Sequence, residues 1–111
     1  MTYAVRLTDQ TRAAIRAQAR YIAVDGHAPL NAARWLDRVM DAIESLEHFP
    51  HRCALAPEND KRPYEIRKIN VGDYLLLLTI DEDAKTVWVI GFRHGRQRQR
   101  PDELPPNTPN D

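Results

Sequence analysis

The first residues alternate between polar and apolar and then change to helical spacing. In TYAVRL, Tyr3, Val5 and Leu7 fall on one side of an extended chain, which predicts a short strand. Thr8 is a typical N-cap residue and Asp9 complements the helix dipole. The spacing therefore predicts a first helix from about Asp9 to Ala23 that ends near Asp25-Gly26, with apolar positions at Ala14, Ile15, Ala19 and Ile22.

A second helix is predicted to begin at Pro29, because proline suits the first helical turn, and to end before Pro50. Trp35 lies beside its apolar stripe, which consists of Ala32, Leu36, Val39, Ile43 and Leu46. Only a few residues separate the two helices, so they are expected to pair as an antiparallel hairpin.

The charges on the two helices are arranged in rows. Arg12, Arg16 and Arg20 share one face of the first helix because they are four residues apart. In an antiparallel hairpin these arginines are expected to meet acidic residues of the second helix, in the pairs Arg20–Asp37, Arg16–Asp41 and Arg12–Glu44. The alternative is that the arginine row binds an acidic partner.

The second half of the chain predicts three antiparallel strands. Residues 51–63 are polar and contain proline, which indicates a loop. The strand candidates that follow are YEIRKIN, DYLLLLTID and KTVWVIGFRH, with turns at Gly72-Asp73 and at residues 81–84. The last two strands are apolar on both sides, and two helices cover only one face of a sheet. Something else is therefore expected to cover the opposite face.

Length and composition indicate one globular domain. The chain has 111 residues, of which 42% are hydrophobic and 29% charged. Residues 1–100 are expected to form the domain, and the proline-rich residues 101–111 a flexible tail. The single cysteine, Cys53, cannot form an internal disulfide and is expected to have a packing role. No signal peptide or membrane-spanning stretch is apparent, which predicts a cytoplasmic protein.

Positive charge is concentrated at one place. The formal net charge is zero, but residues 93–100 contain four arginines and no acid. A general nucleic-acid binder is expected to have a broad basic surface, because its affinity grows with each phosphate neutralised. The distribution therefore favours a local contact site over general nucleic-acid binding. A purely structural alternative is a solvated strand end whose charges prevent further strand pairing.

The order of elements and several sequence segments resemble the RelE/ParE family of bacterial toxins, and the ParE-type branch in particular. These segments are YIA, AARWLDRVMDAIESLEHFPHR, LAPE, YEIRKINVGDYLLLLTID and VWVIGFRHGR, which together span about residues 3–96. The resemblance implies an α+β fold, with the helix hairpin on one face of a four-stranded sheet that includes the N-terminal strand. It also implies a cognate antitoxin as partner, and no metal or cofactor.

The family contains messenger-RNA endoribonucleases and the ParE proteins, which inhibit DNA gyrase without cutting nucleic acid. Where ribonuclease members have a basic residue this chain has Glu65, and where they have an arginine after the tyrosine it has Leu75. His94 matches a histidine of some ribonucleases, but no tyrosine follows it. Each missing group is worth about 10²-fold in rate or more. Gyrase inhibition by binding is therefore favoured, and the alternative is a nuclease that uses Arg67, His94 and Arg96.

Two kinds of binding residue are expected, the first from the resemblance and the second from the residues themselves. The target-binding residues are expected at the end of the last strand, namely Arg93, His94, Arg96, Arg98 and Arg100. If Leu75 and Leu77 share a sheet face with Glu65 and Arg67, that face is apolar where the nucleases are cationic, which favours a protein partner. The expected antitoxin-binding residues are therefore Leu75, Leu77, Arg67, Arg12, Arg16 and Arg20. The alternatives are that the C-terminal tail or a homodimer contact covers this face, or that the chain is a binding module without toxicity.

Overall fold

A computed structural model describes residues 2–109 of the chain. Two helices follow the first strand, and the remaining strands come after them. The strands are β1 (Ala4–Leu7), β2 (Ala54–Leu55), β3 (Arg67–Val71), β4 (Tyr74–Asp81) and β5 (Thr86–His94), and the helices are α1 (Asp9–Val24) and α2 (Pro29–Ser45). Short 3-10 turns occur at Pro50–Arg52, Asn59–Lys61 and Pro101–Glu103.

All five strands form one sheet in the order β1-β5-β4-β3-β2. β1 pairs with β5 in parallel, and the other neighbours are antiparallel. The predicted α+β class, the helix hairpin and the three-strand meander are confirmed. The sheet has five strands where four were expected, because Ala54–Leu55 pairs with the start of β3. Two residues in a proline-bearing loop are too few to show the alternation by which a strand is predicted.

The helix boundaries follow from local hydrogen bonds. Thr8 is the N-cap of α1, and its hydroxyl accepts a hydrogen bond from the Thr11 amide at 3.2 Å. α2 begins at Pro29 as predicted and ends at Ser45, a few residues before Pro50. Phe49 then adopts a left-handed conformation (φ 48°). Arg52 stabilises this turn by donating to the carbonyls of His48 (2.7 Å) and Phe49 (3.1 Å).

The main core lies between the helices and the sheet. Val39, Leu46 and Leu76 are fully buried there, and Cys53 belongs to the same cluster. Tyr3, Val5 and Leu7 all pack against it, as the alternation in β1 predicts. The apolar stripe of α2 thus faces the sheet, and Cys53 has the packing role expected of it.

A second, smaller core lies on the far face of the sheet, which is the face opposite the helices. The buried members of this core are Ala56, Ile66, Leu77, Ile90 and Leu104. Leu104 is only 6% exposed. It belongs to residues 101–105, hereafter the strap. The alternative in which the C-terminal segment covers this face agrees with the structure.

Two side chains hold the strap by its backbone. Arg62 donates to the Leu104 carbonyl at 3.2 Å, and the Tyr64 hydroxyl donates to the Pro105 carbonyl at 2.5 Å. Gly91 lies beneath Leu104, and a Cβ atom there would come within 3.0 Å of the leucine side chain. The packed strap differs from the expectation of a flexible tail that begins at residue 101. A single leucine among prolines and polar residues gives no periodic pattern from which this packing can be predicted.

The expected ion pairs across the helix hairpin do not form. Within residues 2–109, no salt bridge joins Arg12, Arg16 or Arg20 to an acidic residue of α2. All three arginines are exposed. Exposed pairs contribute at most about 1 kcal/mol, so helix packing does not depend on them. In the same residues, no helix is long and apolar enough to span a membrane.

Candidate functional site

The candidate site lies at the end of β5, where strand pairing fixes which way each side chain points. Arg93 is opposite Leu75 and therefore lies on the far face, whereas His94 is opposite Tyr74 and lies on the helix side. β1 ends at the level of Val89, so the last five residues of β5 extend beyond it. Arg93 and His94 thus have different surroundings although they are adjacent in sequence.

Arg93 is held in a buried ion pair with Glu58. The Arg93 Nε and Nη2 atoms donate to the two carboxylate oxygens of Glu58 at 2.8 and 3.2 Å. The Glu58 side chain is 1% exposed and that of Arg93 is 12% exposed. A bidentate pair of this kind is strong and directional. Arg93 is therefore not available to a target in the way predicted for it, because its guanidinium group is used inside the protein.

The turn after β5 is closed by a compact set of hydrogen bonds around His94. Its amide donates to Gln97 Oε1 at 2.6 Å, and its carbonyl accepts from the Gln97 amide at 3.0 Å. The Arg96 amide donates to His94 Nδ1 at 3.0 Å. The Gly95 amide donates to the Asp73 carbonyl at 2.7 Å, which ties the turn to the β3–β4 hairpin.

Three of the predicted target-binding arginines remain exposed on residues 94–100, hereafter the arginine loop. Within residues 2–109, the guanidinium groups of Arg96 and Arg98 have no hydrogen-bond or ion-pair partner, and Arg100 lies 3.4 Å from Glu103 in an exposed pair. A cavity of about 130 Å³ lies between the loop, the strap and the first turns of α1, and its lining includes Gln10, Arg98 and Arg100. The loop thus presents cationic side chains at a surface recess.

His94 is packed as a structural residue. Its ring makes an edge contact with Tyr74 at 5.1 Å between centroids, and Tyr74 stacks on Phe92 at 5.2 Å. Trp35 of α2 packs edge-on against both Tyr74 and Phe92. The His94 ring also accepts the Arg96 amide at Nδ1. His94 therefore anchors the loop to the aromatic cluster.

The three candidate nuclease residues are not brought together. Arg67 is opposite Leu78 and so lies on the helix side, where it donates to the carbonyls of His51 (3.1 Å) and Cys53 (2.6 Å) and pairs with Glu65 (2.8 Å). Its position is two strands across the sheet and four residues along it from His94. Standard strand dimensions then give a Cα separation of about 16 Å. Because Arg67 is bound to loop carbonyls beside β3 and His94 to the turn after β5, the two side chains do not converge on one site.

The predicted apolar partner surface also needs correction. Leu75 and Leu77 lie on the far face, which is not the face of Arg67, because strand pairing places Arg67 on the helix side. Leu77 is 3% exposed and lies in the core that Leu104 completes, while Leu75 is half-buried. Leu77 is therefore not available to an antitoxin while the strap is in place.

Sequence reasoning assigned no role to Glu58, although the residue ends the LAPE segment that contributes to the family resemblance. The residue lies in the segment taken as a loop, 35 positions from Arg93, and an acidic residue in a polar loop carries no signal of burial. Within residues 2–109, no group of three or more His, Cys, Asp or Glu side chains is placed to hold a metal ion. The exposed charged side chains of the arginine loop carry guanidinium groups, which bind carboxylates and phosphates.

Comparisons with known proteins agree with this fold. A family model described as "ParE toxin of type II toxin-antitoxin system, parDE" matches residues 5–99. A solved structure of a chromosomal ParDE system from P. aeruginosa superposes with a TM-score of 0.65 at 14% identity, over 84% of this chain and 96% of the other. No curated protein sequence matches the chain at the threshold applied.

Two RelE-type structures have the same fold. An archaeal RelE–RelB complex from Pyrococcus horikoshii OT3 gives a TM-score of 0.54 at 17% identity, over 87% of this chain and 100% of the other. The toxin–antitoxin complex RelBE2 from Mycobacterium tuberculosis gives 0.52 at 20% identity, over 85% and 92%. At these identities the superpositions establish the fold, and function has to be argued from the residues.

Proposed function

We propose that this protein, which belongs to the ParE toxin family of type II toxin–antitoxin systems, inhibits DNA gyrase by binding to the enzyme and does not cut RNA. One observation favours gyrase inhibition over RNA cleavage. Arg67 and His94 lie apart and are engaged in internal hydrogen bonds, whereas Arg96, Arg98 and Arg100 are all exposed on the arginine loop. The surface is thus suited to binding an anionic surface rather than to proton transfer.

We further propose that a cognate antitoxin neutralises the protein. The similar solved structures are described as toxin–antitoxin systems or complexes, which supports a partner of this kind. On this chain the exposed row of Arg12, Arg16 and Arg20 along α1 offers a basic surface to an acidic antitoxin segment. Leu77, part of the apolar patch for which a homodimer contact was one alternative, is already buried against Leu104 of the strap within one chain.

Two triple variants test both parts together. The first replaces Arg96, Arg98 and Arg100 with alanine, and the second makes the same change at Arg12, Arg16 and Arg20. Each variant is assayed for inhibition of gyrase supercoiling, for trapping of cleaved DNA and for binding to the antitoxin encoded beside the gene. We expect the loop variant to lose inhibition and keep antitoxin binding, and the α1 variant to do the reverse.

The wild-type protein supplies the decisive control. Failure to affect gyrase at micromolar excess, together with codon-phased messenger-RNA cleavage in cells, would replace this proposal with the endoribonuclease alternative. Normal growth of cells that express the chain without its antitoxin would indicate a binding module without toxicity.

A further inference from the structure

The arginine loop is anchored at both ends by buried groups, and this anchoring is the basis of the inference. At its start, Arg93 is fixed by the Glu58 carboxylate, which is almost completely buried. At its end, Leu104 is buried in the far-face core. Residues 95–100 between these anchors are all exposed. An exposed segment of this length has no packing of its own, so its conformation depends on the two anchors and on the bonds within the loop.

Arg93 transmits the position of Glu58 to the loop backbone. While Nε and Nη2 are bound to Glu58, Nη1 lies 3.3 Å from the His94 carbonyl and 3.4 Å from the Gly95 carbonyl, as a donor to both. The guanidinium group is planar and rigid, so fixing one edge fixes the direction of the other donors. The carbonyls of the first two loop residues are thereby held against the group that Glu58 orients.

The same two residues then set the rest of the turn. The His94 carbonyl that Arg93 contacts also accepts the Gln97 amide, and His94 Nδ1 accepts the Arg96 amide. A displacement of the Arg93 side chain therefore alters the acceptors on which the backbone positions of Arg96 and Gln97 depend. Glu58 itself touches none of the exposed arginines through a hydrogen bond or ion pair within residues 2–109.

We propose that Glu58 is the positioning residue of the arginine loop: it orients Arg93, and Arg93 holds the turn that presents Arg96 and Arg98 to the anionic partner. The identity of that partner rests on the proposed function, whereas the positioning role does not. Fixing the side chains before binding lowers the entropy lost on association, so a loosened loop binds more weakly even with all its arginines intact.

The test compares Glu58→Gln with Glu65→Gln in the full-length chain. A glutamine in place of Glu58 keeps the shape of the side chain and one acceptor, but it cannot form the bidentate charged pair. Glu65 is a matched control because it also bonds to an arginine at 2.8 Å, but in an exposed pair with Arg67 and away from the loop. Hydrogen exchange of single amides is measured by NMR for both variants and the wild type.

We expect Glu58→Gln to raise the exchange rates of the Arg96 and Gln97 amides at least tenfold and to leave the amides of Leu76 and Leu78 in β4 within twofold. Glu65→Gln should change neither set. Loop exchange within twofold of wild type in Glu58→Gln would overturn the proposal. An equal rise in the loop and in β4 would overturn it as well, because it would show a general loss of stability.

A second variant covers the case in which Glu58→Gln fails to fold. Arg93→Lys keeps the positive charge opposite Glu58, but a single ammonium group cannot bridge the carboxylate and both loop carbonyls. It should show the same selective loosening of the loop and should weaken gyrase inhibition about tenfold with antitoxin binding unchanged. If wild-type protein does not inhibit gyrase, the proposed function fails, and the exchange measurements still decide the role of Glu58.

Discussion

Replacing Leu104 with alanine tests whether the strap is part of the folded domain. The side chain is 6% exposed and contacts a core built from Ile66, Leu77 and Ile90. Substitution of a buried leucine by alanine usually costs about 2–5 kcal/mol. A loss of about 2 kcal/mol is expected here, because the strap follows an exposed loop and can move to reduce the cavity that the substitution leaves.

The expected shift in melting temperature follows from the size of the domain. In a domain of this length, 1 kcal/mol corresponds to roughly 4–8 °C, so the variant should melt about 8 °C or more below wild type. The assay is thermal unfolding followed by circular dichroism. Leu30→Ala is the matched control, since Leu30 is 62% exposed on α2 and its loss should cost at most about 0.5 kcal/mol.

The comparison between the two leucines decides the matter. Equal melting temperatures for Leu104→Ala and Leu30→Ala would refute the reasoning, because they would show that the strap contributes no more to stability than an exposed side chain does. A selective fall in melting temperature for Leu104→Ala would show that the strap is packed as part of the domain. Gly91→Val should lower the melting temperature as well, since a Cβ at that position would come within 3.0 Å of the Leu104 side chain.

Three further predictions concern single side chains. His94→Asn keeps an acceptor for the Arg96 amide and should retain toxicity in growth assays, whereas His94→Ala should lose at least part of the toxicity. Loss of all toxicity in both variants would instead indicate a catalytic histidine. Burial raises the pKa of the Cys53 thiol, so the native protein should react with Ellman's reagent at pH 8 at least about 100-fold more slowly than the protein unfolded in urea. Rapid stoichiometric labelling of the native protein would contradict the packing role of Cys53. Tyr64→Phe should lower the free energy of unfolding by about 1 kcal/mol, because the hydrogen bond to the Pro105 carbonyl is lost. Burial raises the pKa of the Tyr64 phenol, so the difference in stability between wild type and variant should hold at neutral pH and vanish as the pH rises through the raised pKa. Melting temperatures that differ equally at pH 7 and pH 11.5 would contradict this prediction.

The parts of the fold that the sequence predicts are those with a local physical signal. The alternation of Tyr3, Val5 and Leu7 and the capping residue Thr8 identify β1 and the start of α1 without reference to the rest of the chain. The turn at Gly72 is another such case, since its φ of 58° is a conformation that glycine adopts readily. These features depend on neighbouring residues only, so a single sequence is sufficient to find them.

The parts that could not be predicted depend on contacts between distant residues. The pair of Glu58 and Arg93 joins a loop to a strand end, and Leu104 reaches a site formed by three separate segments. The face occupied by Arg67 depends on strand register, and a shift of one residue moves every side chain to the other face. For the candidate site, the sequence is sufficient to identify the arginine-rich segment. Only the structure shows that Arg93 is paired with the buried Glu58, whereas the other arginines of the segment are exposed.

The distribution of charge on the folded chain also bears on how it recognises partners. The row of Arg12, Arg16 and Arg20 and the arginine loop are exposed basic surfaces, yet the whole chain has a formal net charge of zero. Because the chain has no net charge, and because salt screens charges beyond about 8 Å at physiological ionic strength, long-range attraction of a partner to either surface is weak. Binding at either surface must then depend on close contact between guanidinium groups and a matching anionic surface, and this requires side chains held in fixed positions. The buried anchor at Glu58 and the strap at Leu104 supply that requirement for the loop, which explains why a neutral protein uses buried groups to support an exposed segment.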